Sequence, residues 1–462
     1  MKFKLFTLLF FASFFAAKAQ YGYHIEIDSP SSDHKWAYIA QYWDGKPYSL
    51  DSVLLSDKGR GILESKANLA DGQYLLYIKP DIQLDLLLDG RKNDIKVSIA
   101  KDTKKYSISG SNDTKLLWQY ILNTNDNRTE AEHIEKQIND STISAEQKKE
   151  LRVQLEALND EFQKETDAVT RKYDGSWFST YLRGMTPVIP PYTPPRTEEE
   201  AINNREFLKS HYFDNINLTD PRFWQTSYFP GMINNYLNTI VEPIHDSIAY
   251  AASRLVGKTK ANDICFKNML SRLTNNATKS SIMGSENIWT KLAEDYIFGK
   301  NISWIDSTQM RQLEVEYEKA RFNRIGMPGH DLTLETIDGG QMNVYDINSD
   351  YTVLYFYDPT CGHCKTEIPL LHNKFYKQYK EKGVEIVAIS INPDANVWKS
   401  FIKEYDLTDW VNCSDHNFKS QYWMYYDVSG TPSLFVLDKN KTIIAKKINE
   451  EMLERFFSYI IK

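Results

Sequence analysis

Hydrophobic and polar residues alternate in short runs from Tyr21 to about Gly110: YHIEI, WAYIAQYW, YSLDSVLL, GQYLLYI and IKVSIA, separated by Asp-Gly and other glycine turns. Within them Ile95, Val97 and Ile99 fall on one face and Lys96 and Ser98 on the other, which is the period of a pleated strand. Runs of this length and spacing predict an N-terminal antiparallel β-sandwich over residues 20–110. The texture then turns helical, beginning with TKLLWQYIL. Ser144 and Gln147 make a capping-box pair, and Leu151, Leu155, Leu158 and Phe162 form one apolar stripe on a charged helix. That stripe lasts only about two heptads, so helix packing is expected rather than a long coiled coil.

A segment with five prolines between Pro187 and Pro195 interrupts the helices, because proline lacks an N–H and favours extended backbone. Helical periodicity resumes after Thr197 and Glu200, a second capping signature, so residues 111–325 read as a central all-α region with a Pro-rich break at 186–195. From Gly326 strands and helices alternate. The order is a Gly339-Gly340 turn, strand YTVLYFY, a helix from Gly362, strand VEIVAISI, helix ANVWKSFIKEY, strands SLFVLD and TIIAKKI, and helix EEMLERFFSYI. This order predicts a C-terminal α/β domain over 326–462.

Composition changes the picture little: 42% apolar and 25% charged residues in 462 describe an ordinary globular chain, rich in tyrosine. The N-terminus changes it more. Lys2 and Lys4, an apolar run from Leu5 to Phe15, and Ala17 and Ala19 read as a secretory signal peptide over residues 1–19, so the chain is expected to be exported. Loss of Lys2, Lys4 and Lys18 would move the formal charge from −7 to −10, which argues against nucleic acid as a partner.

The four cysteines are Cys265, Cys361, Cys364 and Cys413, too few for a disulfide scaffold. Cys265 and Cys413 read as small buried apolar residues. Cys361 and Cys364 stand in DPTCGHCKTEIP, where a strand passes into a helix. A thiol at a helix N-terminus meets unpaired N–H groups and the positive end of the dipole, so its pKa falls. Cys361 is thereby the attacking thiolate, and Cys364, one turn inside, the thiol that resolves the mixed disulfide. Gly362 and His363 between them tune the couple, a protonated His363 favouring the reduced thiolate. A haem tether would need histidine where Lys365 stands, and a structural zinc site would need a second ligand pair such as Cys413 and His416. A plain staple would close too small a loop to stabilise anything. No metal or cofactor is expected.

Cys-Gly-His-Cys followed by Glu367 and Pro369 resembles the TlpA/ResA-like exported branch of the thioredoxin superfamily, and VSGTPSLFVLD resembles its cis-proline loop. The resemblance covers about Gly326 to Lys462. It implies a thioredoxin-like fold, a modulating role for Glu367, and substrate binding at Thr431 and Pro432 beside the cysteines. It also implies disulfide-containing envelope proteins as substrates and a membrane or periplasmic redox partner. The upstream β and helical regions are similar to the accessory domains that accompany this module in certain Gram-negative envelope proteins, which implies the periplasm of a Gram-negative bacterium as the compartment. Two positions depart from the pattern: Thr360 replaces the usual tryptophan, and Tyr355 stands where thioredoxin has a buried aspartate. Glu367 is then the proton acceptor for Cys364, with Asp358 as a second candidate. An alternative reading makes the chain an envelope binding or assembly factor whose thioredoxin-like part is a scaffold. Neither the direction of electron flow nor an oligomeric state follows from the sequence. Titration against glutathione should place the couple nearer about −180 mV than the about −270 mV of thioredoxin; a value at the lower end removes His363 from the tuning.

Overall fold

Alternation in the first hundred residues folds as two four-stranded sheets. The strands are β1 (Tyr23–Asp28), β2 (Trp36–Trp43), β3 (Lys46–Leu54), β4 (Arg60–Ser65), β5 (Gly72–Ile78), β6 (Ile82–Leu88), β7 (Asn93–Ile99) and β8 (Tyr106–Ser109). In this computed structural model, which describes residues 22–461 apart from 68, 79–81, 90–92, 101–105, 281 and 301, the orders are β4-β1-β7-β8 and β3-β2-β5-β6. The leader expected at residues 1–19 lies outside the described residues. Inward positions of both sheets, among them Ile25, Ile95 and Val97 from one and Ile39, Leu76 and Leu86 from the other, share a single buried cluster. The expectation of a wholly antiparallel arrangement fails at one pair, since β1 runs parallel to β7. Parallel neighbours need a long crossover, and here the chain builds the whole second sheet between them.

Two long helices follow, α1 (Asn112–Asn139) and α2 (Ala145–Lys172), packed on one another. Ser144 caps α2 as its sequence predicts: the Gln147 N–H donates to Ser144 Oγ at 3.3 Å and the Ser144 N–H to Gln147 Oε1 at 3.2 Å. Helices α3 (Trp177–Met185) and α4 (Glu198–His211) flank the proline segment, and α5 (Phe229–Asn235) comes next. The chain forms two compact units, one running to Ile240 and taking in Thr259–Cys265, the other made of Val241–Lys258 and Phe266 onwards. The helical stretch is therefore shared between the units.

The second unit holds α6 (His245–Lys258), most of α7 (Asp263–Lys279), α8 (Ser285–Leu292) and α9 (Ser307–Ala320), then a seven-stranded sheet. Its strands β9 (Thr333–Thr336), β10 (Gln341–Asn343), β11 (Tyr351–Tyr357), β12 (Val384–Ser390), β13 (Val411–Ser414), β14 (Ser433–Asp438) and β15 (Ile443–Lys446) lie in the order β10-β9-β13-β12-β11-β14-β15. The central β11 is parallel to β12 and antiparallel to β14. Because both its faces are covered, it reads as a nearly unbroken apolar run. Val353, Tyr355 and Tyr357 join one core with α10 (Gly362–Leu370), α11 (Ala395–Glu404) and α12 (Glu450–Ile460), while Leu354 and Phe356 join another on the opposite face.

One buried cation ties the helices to this sheet. Lys446 on β15 donates to the carbonyl and side-chain oxygens of Asn323 at 2.9 and 2.6 Å and lies 2.6 Å from Glu286 Oε1 on α8. Burial lowers the Lys446 pKa in spite of that carboxylate. Taking one partner from a buried pair leaves the other charge uncompensated. Glu286→Gln should therefore cost about 3 kcal/mol of unfolding free energy in a denaturant titration; a loss below about 1 kcal/mol would show that Asn323 alone suffices.

Candidate active site

The turn between β11 and α10 is built by Asp358. Its Oδ1 accepts from the Thr360 N–H and hydroxyl, both at 2.8 Å, and from the Asn392 amide at 3.0 Å, while its carbonyl accepts the Cys361 N–H at 2.9 Å. Burial would raise the Asp358 pKa, but these donors outweigh it and hold the carboxylate ionised. This anchoring makes Asp358 a poor proton acceptor for Cys364 and sets Cys361 as the N-cap of α10. Pro369 supplies no N–H to the helix, which continues as a wider π-type turn over Leu371–Tyr376.

The two thiols are free and sit in different surroundings. Cys361 is half-buried, and its Sγ lies 3.4 Å from the Thr431 carbonyl, next to a cis Thr431–Pro432 peptide. Burial opposes its thiolate, but the Cys364 N–H, the Thr431 side chain, the Cys364 thiol and the His363 N–H prevail, so its pKa falls below the ordinary value. Cys364 has no exposed surface. Burial pushes its pKa up to about 12, with the neighbouring Cys361 adding to the rise and the Asp358 N–H opposing it. His363 itself is exposed, and at Cys361 it acts through its backbone N–H. A Cβ on Gly362 would meet nothing within 4 Å, so that glycine leaves the approach to Cys361 open.

Glu367 lies one helical turn beyond Cys364, on the inward side of α10. Its Oε2 accepts from the Tyr355 hydroxyl at 3.3 Å and its Oε1 from the Glu450 N–H at 3.1 Å. Burial and the nearby Glu450 carboxylate raise its pKa, with the two donors and His363 opposing. Glu367 also lines a groove of about 440 Å³ with Thr431, Pro432, Asp427, Lys447 and Asn449. Lys447 pairs with Asp427 at its edge, and both hold left-handed backbone, φ 54° and 46°. The structure thus brings Cys361, Cys364, Glu367, Thr431 and Pro432 together. Sequence reasoning noted Tyr355 only as a departure and missed the Glu450 N–H; the strand's period of two, which turns Tyr355 toward the α10 side, was the available signal for the first.

The other two cysteines have surroundings of their own. Cys413 is on the opposite face of the sheet from Cys364, its Sγ 3.0 Å from Met342 Sδ, and Cys265 belongs to the first unit. Burial pushes both pKa values up to about 12.

A family model described as thioredoxin-like matches residues 348–443. The thiol-disulfide oxidoreductase ResA of Bacillus cereus is 29% identical over 139 residues, which are 30% of this chain and 78% of that protein. ResA of Bacillus subtilis is 27% identical over 138 residues, 29% of this chain and 75% of that protein. The chain is a ResA-like member of the thioredoxin superfamily. Membership makes it a thiol–disulfide oxidoreductase, and the match lies in the C-terminal third. Among solved structures, a domain of a possible thiol-disulfide isomerase from Cytophaga hutchinsonii is 34% identical, covering 29% of this chain and 92% of that one, with a TM-score of 0.28. A thioredoxin-like protein from Bacteroides caccae is 22% identical, covering 60% and 98%, with a TM-score of 0.44.

The opposed thiol shifts at this ResA-like site predict unequal reactivity. In Cys364→Ser, iodoacetamide should modify Cys361 with a midpoint below the ordinary thiol value of about 8.5; in Cys361→Ser, Cys364 should stay unmodified through about pH 9. Equal profiles would contradict the asymmetry.

Proposed function

We propose that the chain exchanges disulfides of exported, envelope-located proteins through the Cys361–Cys364 pair. The observation that carries this reading is the contrast between a half-exposed thiol of lowered pKa at a helix N-terminus and a buried neutral thiol one turn inside. Cys361 attacks a substrate sulfur and forms the mixed disulfide. Cys364 then displaces the substrate, closing the Cys361–Cys364 disulfide while two electrons leave with the reduced substrate. Thr431 and Pro432 border the groove along which the substrate chain lies, Glu367 takes the proton from Cys364, and the His363 N–H supports the Cys361 thiolate. Return to the dithiol requires a thiol reductant, in our reading a membrane or periplasmic redox partner.

Export rests on the leader pattern at residues 1–19. The curated relatives named here come from Bacillus, so the choice of a Gram-negative periplasm rests on the resemblance of the upstream regions alone. We read the two N-terminal sheets as a β-sandwich accessory domain. Trp36, Tyr48, Leu50 and Leu54 of β2 and β3 are 46–53% exposed, and exposed apolar surface of this kind supports a partner-holding role beside the redox step.

Cys361→Ser should abolish exchange, and Cys364→Ser should accumulate mixed disulfides with envelope proteins that dithiothreitol releases. Activity surviving in Cys361→Ser would overturn the redox reading. Partners recovered equally with the double Cys→Ser variant would favour the binding factor instead.

A further inference from the structure

Resolution of the mixed disulfide requires a proton to leave a thiol with no exposed surface. Cys364 is sealed in the core formed by β11, α10, α11 and α12, while Glu367, one turn further along α10, lines the groove with Thr431 and Pro432. Both carboxylate oxygens of Glu367 are already engaged, Oε1 by the Glu450 N–H and Oε2 by the Tyr355 hydroxyl. Tyr355 itself is fully buried in the core that contains Cys364. Its hydroxyl is the one polar group on its side chain, and it donates to the carboxylate. Asp358, the other nearby carboxylate, is occupied by Thr360 and Asn392.

We propose that the Tyr355 hydroxyl relays the proton between Cys364 and Glu367, so that strand β11 supplies a working residue to the exchange reaction. This rests on the reading of Cys361 as attacking and Cys364 as resolving thiol. The Cys364 proton passes to the phenol oxygen as the phenol's own hydrogen passes to Glu367 Oε2. The Cys364 sulfur then forms a bond to the Cys361 sulfur, the bond from Cys361 to the substrate sulfur breaks, and its electron pair leaves with the substrate thiolate. Tyr355 ends the step as the neutral phenol it began as, and Glu367 returns its proton to the groove.

The surroundings fit a shuttle that never ionises. Burial, then the charges of Glu367 and Cys364, drive the Tyr355 pKa far above the ordinary phenol value, and Cys361 adds to this. A tyrosinate is therefore excluded, while concerted exchange of hydrogens is not. The hydroxyl lies 3.3 Å from Glu367 Oε2, and Tyr355 shares its buried core with Cys364. The ionisable groups acting on Glu367 are Tyr355 from β11, His363 from its own helix and Glu450 from α12; Asp427 and Lys447, paired with one another, share its groove.

A symmetric aryl disulfide separates the two half-reactions. One aryl thiolate is released as Cys361 forms the mixed disulfide, and a second as Cys364 displaces it. Tyr355→Phe keeps the ring and removes the relay. It should leave the first phase unchanged and slow the second on the order of 10²-fold near neutral pH, the range typical of general acid–base assistance. The inflection of the second phase that reports Glu367 ionisation should vanish, as it should in Glu367→Gln. The double variant should be no slower than the slower single variant. A second phase within about twofold of the unsubstituted protein, with its inflection intact, overturns the relay, as do losses that multiply in the double variant. A proton inventory of the second phase in mixed light and heavy water needs no variant: a bowed dependence, with two protons in flight, is expected, and a linear one overturns the proposal. A first phase that persists in Cys361→Ser would instead sink the underlying assignment of the thiols.

Discussion

A thiol held inside a hydrophobic core is the constraint on which the C-terminal domain turns. Cys364 is buried with its pKa pushed up to about 12, so its thiolate is almost absent at neutral pH. Burial keeps water from this sulfur, and in the proposed exchange it obliges the fold to carry a proton out. In that proposal the requirement is met by Glu367 one turn along α10, which accepts from the Tyr355 hydroxyl and from the N–H at the start of α12. Cys361 experiences the reverse balance, since helix-end N–H groups outweigh partial burial and leave it ready to attack.

The same strand packs both cores and reaches the candidate site. Alternate residues of β11 fill the cores on both sheet faces, and the period that buries Val353 and Tyr357 also turns Tyr355 toward α10. Where the resemblance implies a buried aspartate, this strand carries a phenol, and its hydroxyl donates to a carboxylate from the helix, Glu367. Glu367 lines the groove with Thr431 and Pro432, and burial there still raises its pKa.

Much of this was legible in the sequence where the determinant is local. The cysteine pair, Glu367, Pro369 and the Thr431-Pro432 step are defined by short spacings, and Ser144 with Gln147 fixes a helix start from four residues. What escaped was set by distant contacts. Strand β13 is four residues with no alternation to betray it, and it exists because β12 and β9 pair with it. The parallel β1–β7 pair joins segments some seventy residues apart, so no local period encodes it. Nothing local in TIIAKKI marks Lys446 as buried, and it is buried because Asn323 and Glu286 converge on it.

That buried ammonium also bears on where the thioredoxin-like part begins as a folding unit. Sequence texture changes at Gly326, which looks like a natural place to cut. A fragment starting there would keep Lys446 while discarding both Asn323 and Glu286, leaving a cation pressed against apolar surface with its counter-charge and acceptors gone. The border of the compact unit therefore runs upstream of the visible one, and α8 and α9 belong to that unit together with the seven-stranded sheet.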